Sequence, residues 1–206
     1  MKLSKILIFL LGVVLLITFT FFTLYNDSPL YAKQGKIDIK DTTFPSERLI
    51  PLDGVWEFYS GQLYEPKKIT NEIINSAEYI HVPGKWAPHD EEKGFGTYRL
   101  VIDNVPTNQV LGIKKQNIRS ASKIYINGKL VSEEGIIAKQ LTSYTEGNNP
   151  KLVFFQQDQE QLEIIIQVAD FSYNSAGISN SIYFGEQDVL VSESFKQVIF
   201  ELGILA

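Results

Sequence analysis

Apolar and polar positions along the chain fall into three textures. Ile6–Tyr25 is a run of 20 residues interrupted only by Gly12 and three threonines. At about 1.5 Å per residue, such a helix spans roughly 30 Å, the thickness of a bilayer's hydrocarbon core. It is apolar on every face, unlike a helix that seats one stripe on a globular core.

Strict alternation then takes over. Tyr98, Leu100 and Ile102 share one face, with Thr97, Arg99 and Asp103 on the other. Ile124 and Ile126 alternate with Lys123, Tyr125 and Asn127, and Leu152 and Phe154 with Lys151, Val153 and Phe155. Leu162, Ile164, Ile166 and Val168 continue the series, and Ile182 and Phe184 close it. Period two repeated this often predicts half-buried strands. Asn127-Gly128 suits a type I′ hairpin, whose two central positions need positive φ. Pro83-Gly84, Asn104-Val105-Pro106 and Gly147-Asn148-Asn149-Pro150 mark further turns. The pattern predicts an all-β, two-sheet sandwich of jelly-roll type, with one short helix over Thr70–Ala77. In the third texture, Val189–Ala206, apolar residues recur near helical spacing at Val191, Phe195, Val198, Ile199 and Leu202.

Charge sharpens this division. No charged residue lies between Lys5 and Asp27. Removing Lys2 and Lys5 from the 19 basic residues leaves 17 against 24 acidic ones, so residues 27–206 carry a net −7. An acidic domain without a basic stripe is a poor partner for nucleic acid. The absence of cysteine excludes disulfides, Cys-ligated zinc, iron–sulfur clusters and thiol catalysis. Lysines before the apolar run and Asp27 after it predict a cytoplasmic N-terminus, with the rest of the chain outside. The run is longer than the 7–15 apolar residues typical of a cleaved signal, and Leu30-Tyr31-Ala32 carries a large Leu where cleavage wants a small residue. An uncleaved anchor is therefore the preferred reading over a cleaved signal, and both export the remainder. The expected organisation is an anchor or signal at 1–26, a tether with a first edge strand at 27–45, a sandwich at 46–188 and a juxtamembrane, helical segment at 189–206.

Five motifs follow one another along the chain: Pro51-Leu52-Asp53-Gly54-Val55-Trp56-Glu57-Phe58-Tyr59, His81-Val82-Pro83-Gly84-Lys85-Trp86, Gly94-Phe95-Gly96-Thr97-Tyr98-Arg99-Leu100, Ile124-Tyr125-Ile126-Asn127-Gly128-Lys129, and Ile166-Gln167-Val168-Ala169-Asp170-Phe171-Ser172-Tyr173 with Gly177. In order and spacing the series resembles the all-β extracellular domain of bacterial seven-transmembrane receptors with diverse intracellular signalling modules. More loosely it is similar to the galactose-binding-like jelly roll that precedes the barrel of family 2 glycosidases. The resemblance covers roughly 45–185 and implies an exported receptor domain that binds carbohydrate-like ligands. It also implies a following seven-helix region and signalling output, whereas this sequence stops at Ala206. Asp170 stands where the receptor family often has Asn, which weakens transfer of a ligand contact to that position.

Each motif has a packing role to weigh against a ligand role. Trp56 and Phe58 are expected in the core, Tyr98 and Leu100 likewise by alternation, and Arg99 should pair with an acid on a neighbouring strand. His81, between Ile80 and Val82, reads as a hydrogen-bonded structural residue. Trp86 differs, because it opens a loop too polar to bury, with His89, Asp90 and Glu91 following. An aromatic face beside carboxylates suits a sugar, whose C–H groups stack on the ring while its hydroxyls donate to the acids. A Trp capping the sandwich beside a solvated loop is the competing reading. Asp170, Tyr173 and Asn174 are candidates on a second loop.

Catalysis finds little support. There is no Gly-x-Ser-x-Gly elbow, Walker loop or His-Glu-x-x-His. Glu133 and Glu134 are neighbours on a strand and point to opposite faces, which does not make a glycosidase pair. No cofactor is expected, and no transition metal. The expectation is a membrane-anchored extracytoplasmic sensor that binds a carbohydrate-like small ligand and contacts the cell membrane and other membrane signalling subunits. The alternative is an assembly module of a membrane complex that binds no small molecule.

Overall fold

The computed structural model describes residues 11–16, 18, 30–40, 48–85, 94–116, 120–147, 149–172, 177–201 and 203. Eleven strands lie among them: β1 (Lys36–Asp38), β2 (Ile50–Pro51), β3 (Gly54–Ser60), β4 (Glu78–Val82), β5 (Gly94–Asp103), β6 (Gln109–Lys115), β7 (Ala121–Ile126), β8 (Lys129–Glu134), β9 (Lys151–Gln157), β10 (Gln161–Asp170) and β11 (Ile182–Glu186). Helix α1 covers Asn71–Asn75 and α2 covers Gln187–Glu201. The larger sheet has the order β4-β3-β5-β10-β7-β8 and the smaller β2-β11-β6-β9. All pairs are antiparallel except β1, which runs parallel to β5. The chain passes repeatedly from one sheet to the other, as β5→β6→β7 and β8→β9→β10→β11. The architecture is an all-β two-sheet sandwich.

Alternation explains the core. Trp56, Phe58, Tyr98, Leu100, Ile124, Ile164 and Ile166 from the larger sheet meet Leu111, Ile113, Ile182 and Phe184 from the smaller one. Trp56 is fully buried, and its indole N–H donates to the Leu52 carbonyl at 2.9 Å, so a large ring enters the core without an unmet donor. In β9 the core-facing residues are Val153 and Phe155, while Phe154 turns outward. Asn127 and Gly128 adopt φ of 47° and 79°, as the β7–β8 hairpin requires. Thr70 caps α1 by accepting from the Ile73 N–H, which confirms the short helix read from the sequence.

The outer face of the larger sheet is partly covered. Thr97 donates to the Gln62 carbonyl and Gln167 to the Tyr64 carbonyl, fixing the segment after β3 over it. Arg99 pairs with Glu57 on β3 at 2.8 Å and Glu163 on β10 at 2.7 Å, and Tyr59 donates to Glu57 at 2.9 Å. The expected partnership of Arg99 therefore involves acids on both neighbouring strands.

Helix α2 lies against the smaller sheet through its first turn. Val189 and Leu190 are buried, and Leu190 seats over Gly112, where no side chain intervenes. Lys114 donates to Gln197 at 2.9 Å farther along. The helix itself agrees with the spacing read from the sequence, but Val191, Phe195 and Val198 are exposed. Their period marked a helix and not its buried face, which is formed by Val189 and Leu190. Residues 11–16 are helical, and most of the apolar N-terminal run lies outside the described residues. Among those described, no helix is long and apolar enough to cross a membrane.

Candidate functional site: a loop-bearing rim over a polar layer

The strand registers bring several chain ends together. Gly94 opposes Asp170, Ala121 opposes Ala169, and Ser122 opposes Glu134 in the larger sheet. Lys115 opposes both Ile182 and Lys151 in the smaller one. The connections 83–93, 116–120, 135–150 and 171–181 each begin or end at this rim. The tighter turns at 104–108, 127–128 and 158–160 gather at the opposite end, where Asp103 opposes Gln161 and Asn127 donates to Gln157.

Two of the rim connections carry the residues singled out from the sequence. Trp86, His89, Asp90 and Glu91 belong to 83–93, and Tyr173 and Asn174 to 171–181; all six lie outside the described residues. The flanks of these loops are fixed to one another at both ends. Gly94 pairs with Asp170 at one end, and the Gly84 N–H donates to the Ile178 carbonyl at 2.8 Å at the other. Ser181 also donates to Asp53, just before β3, at 3.1 Å. Asp170, the seventh candidate, is buried, and its Oδ1 accepts from the Ser172 N–H at 3.0 Å, turning the chain out of β10.

Beneath the rim the apolar core gives way to polar groups. Lys115 follows Leu111 and Ile113 at an inward position of β6 and is fully buried. Its ammonium reaches Ser122 on the opposite sheet at 3.4 Å. Glu134, also buried, pairs with Lys151 at 2.5 Å and accepts from Asn149 at 3.1 Å. Burial holds the Lys115 ammonium below the ordinary lysine range despite the opposite pull of Glu134, and Lys151 adds to the lowering. Burial acts to raise the Glu134 carboxyl, but the hydrogen bonds from Lys151 and Asn149 and the nearby positive charges outweigh it and keep it low. Glu133, by contrast, faces outward and pairs with Lys123 at 2.9 Å, so the two adjacent carboxylates do point to opposite faces.

This layer was only partly visible in the sequence. A lysine continuing the inward series Leu111, Ile113, Lys115 is a legible signal, since an amine between two sheets needs a special environment. Lys151 and Ser122 carried no comparable mark. His81 departs from expectation: it is exposed on β4, because the inward side chain of that strand end is Val82. Among the described residues no group of three His, Asp or Glu side chains is arranged to hold a metal.

No family model matches the sequence, and no curated protein matches it. Among solved structures, the chain is similar to the beta-glucuronidase of Ruminococcus gnavus (14% identity, 66% of this chain and 28% of that one, TM-score 0.48). It is also similar to the Faecalibacterium prausnitzii beta-glucuronidase (14% identity, 70% and 33%, TM-score 0.49). A third is a GH2 beta-galacturonidase from Eisenbergiella tayi bound to galacturonate (14% identity, 70% and 26%, TM-score 0.45). The chain spans about a quarter to a third of the length of these enzymes, and the likeness is one of chain path.

Proposed function

We propose that this chain is a membrane-anchored, extracytoplasmic ligand-binding domain of the bacterial sensor type its motifs resemble, with a galactose-binding-like jelly roll that recognises a carbohydrate and performs no catalysis. The observation that carries the reading is the pairing of the flanks of loops 83–93 and 171–181 above a buried polar layer. One loop holds Trp86 with His89, Asp90 and Glu91, and the other Tyr173 and Asn174 beyond Asp170. An aromatic ring with acceptors and amides around it is the residue set that suits a hydroxylated ring. In this reading the anchor at 1–26 holds the domain on the outer face of the cell membrane, and other membrane signalling subunits receive its output.

The test is a glycan array probed with the full chain in detergent micelles, followed by calorimetry on any hit. Binding of defined glycans, weakened at least tenfold by Trp86→Ala, is expected. Failure to bind any glycan, with a stable co-purifying membrane protein instead, would establish the assembly module. That second reading draws on the exposed Val191, Phe195 and Val198 of α2, apolar side chains that the sandwich leaves uncovered.

A further inference from the structure

A groove of about 350 Å³ lies where residues 31–32 run beside the β3–β4 pair. Its lining includes Tyr31, Asp53, His81 and Pro83. The segment forming one wall is held by backbone hydrogen bonds: Ala32 N–H to Asp53 at 2.7 Å, Val55 N–H to Ala32 at 2.8 Å and Gly35 N–H to Val55 at 2.8 Å. Gly54 permits this approach. A Cβ there would stand 2.4 Å from the Ala32 nitrogen, and its φ of 127° suits glycine.

The chemistry of the lining is specific. Tyr31 is about half exposed and offers an apolar ring face with a hydroxyl, and His81 is exposed beside it. Asp53 lines the groove as its one carboxylate, and its Oδ2 accepts from Ser181 at 3.1 Å. Pro83 leads directly into loop 83–93, and the Ser181 contact ties Asp53 to loop 171–181.

We propose that this groove is a subsite for a neutral hydroxylated ring, with Tyr31 stacking on the ring and Asp53 and His81 hydrogen-bonding its hydroxyls. The inference rests on the carbohydrate-binding reading and extends it. The ligand would touch the chain segment that leads from the N-terminal run into the sandwich, so that occupancy fastens that segment to β3. The Asp53 charge selects against a ring carrying a carboxylate, because like charges at close range repel.

Calorimetry of the full chain in micelles with cellobiose, lactose, N-acetylglucosamine and glucuronate tests this, using Tyr31→Ala, His81→Ala and Trp86→Ala. Asp53→Asn keeps shape and is read alongside them, with thermal unfolding checking that each variant folds. A neutral sugar should bind, glucuronate at least tenfold more weakly, and Tyr31→Ala and His81→Ala should each reduce binding five- to tenfold. Hydrogen exchange at the Ala32 and Val55 amides should slow when the sugar is bound. Sugar binding that falls with Trp86→Ala but is unchanged in Tyr31→Ala and His81→Ala overturns the subsite and leaves the broader reading standing. Binding that falls with Tyr31→Ala and His81→Ala but not with Trp86→Ala supports the subsite and refutes the role given to loop 83–93. No binding by the wild type to any of the four, or tighter binding of glucuronate, overturns the subsite.

Discussion

Two charge clusters in this molecule are near mirror images. On the outer face of the larger sheet one cation, Arg99, lies between two carboxylates; between the sheets one carboxylate, Glu134, lies near two amines. The first is closed: Arg99 spans β3 and β10 with contacts of 2.7–3.1 Å, and Tyr59 adds a hydrogen bond to Glu57. The second is open. Lys151 holds Glu134 tightly, but among the described residues Lys115 has a 3.4 Å bond to Ser122 and only the field of Glu134. The difference follows from shape. A planar guanidinium can engage two acids at once, whereas an ammonium arriving from the opposite sheet meets whatever acceptor faces it. A saturated cluster pins strands together. An unsaturated one beneath a set of loops has capacity for a further polar partner.

The largest expected effect breaks the closed cluster. Arg99→Met leaves Glu57 buried without its cation and should destabilise the fold by about 3–5 kcal/mol in urea unfolding. Glu134→Gln should cost less, about 2 kcal/mol, since its partner Lys151 is 42% exposed and can turn to solvent. The same variant tests the sign of a pH effect. The Glu134 carboxyl is held below its ordinary 4.5, so its contribution is complete above that value and is lost as the pH falls below it. Wild-type stability should therefore drop more steeply than that of Glu134→Gln below pH 4.5.

Lys115→Met sharpens the contrast. Because Glu134 keeps Lys151 and Asn149, removing the buried amine should leave stability within about 1 kcal/mol of wild type, or raise it, at pH 7. The folded Lys115 ammonium releases its proton below the ordinary 10.5, so wild-type stability should rise with pH toward that value, and the variant should lack this rise. The smallest effect is reserved for the surface. Lys123→Ala, which removes the partner of Glu133, should change stability by less than about 1 kcal/mol.

Much of the sandwich could be read from local pattern. Leu162, Ile164, Ile166 and Val168 announced the strand β10, and Asn127-Gly128 announced the β7–β8 hairpin, because both depend on neighbours in sequence. Arg99 could be assigned an acidic partner on the same logic, though not which acid, since Glu57 and Glu163 meet only after β3 and β10 flank β5. Composition marked candidate residues on loops 83–93 and 171–181, while the pairing of their flanks through the Gly94–Asp170 register and the Gly84–Ile178 bond is tertiary. The groove at Tyr31 was illegible for the same reason: Ala32 reaches Gly54 across 22 positions. On α2 the apolar period was seen correctly, but only the packing reveals that Leu190 is its anchor.

The most direct measurement uses the two tryptophans. Trp56 is fully buried in the core, whereas Trp86 stands on a candidate loop, so their emissions report separate places. Titrating the full chain in micelles with a glycan found on the array should give a saturable change in fluorescence. That change should vanish in Trp86→Phe and persist in Trp56→Phe, provided the latter remains folded. No saturable change with any glycan, or one that survives Trp86→Phe unaltered, would contradict the placement of a carbohydrate on this rim.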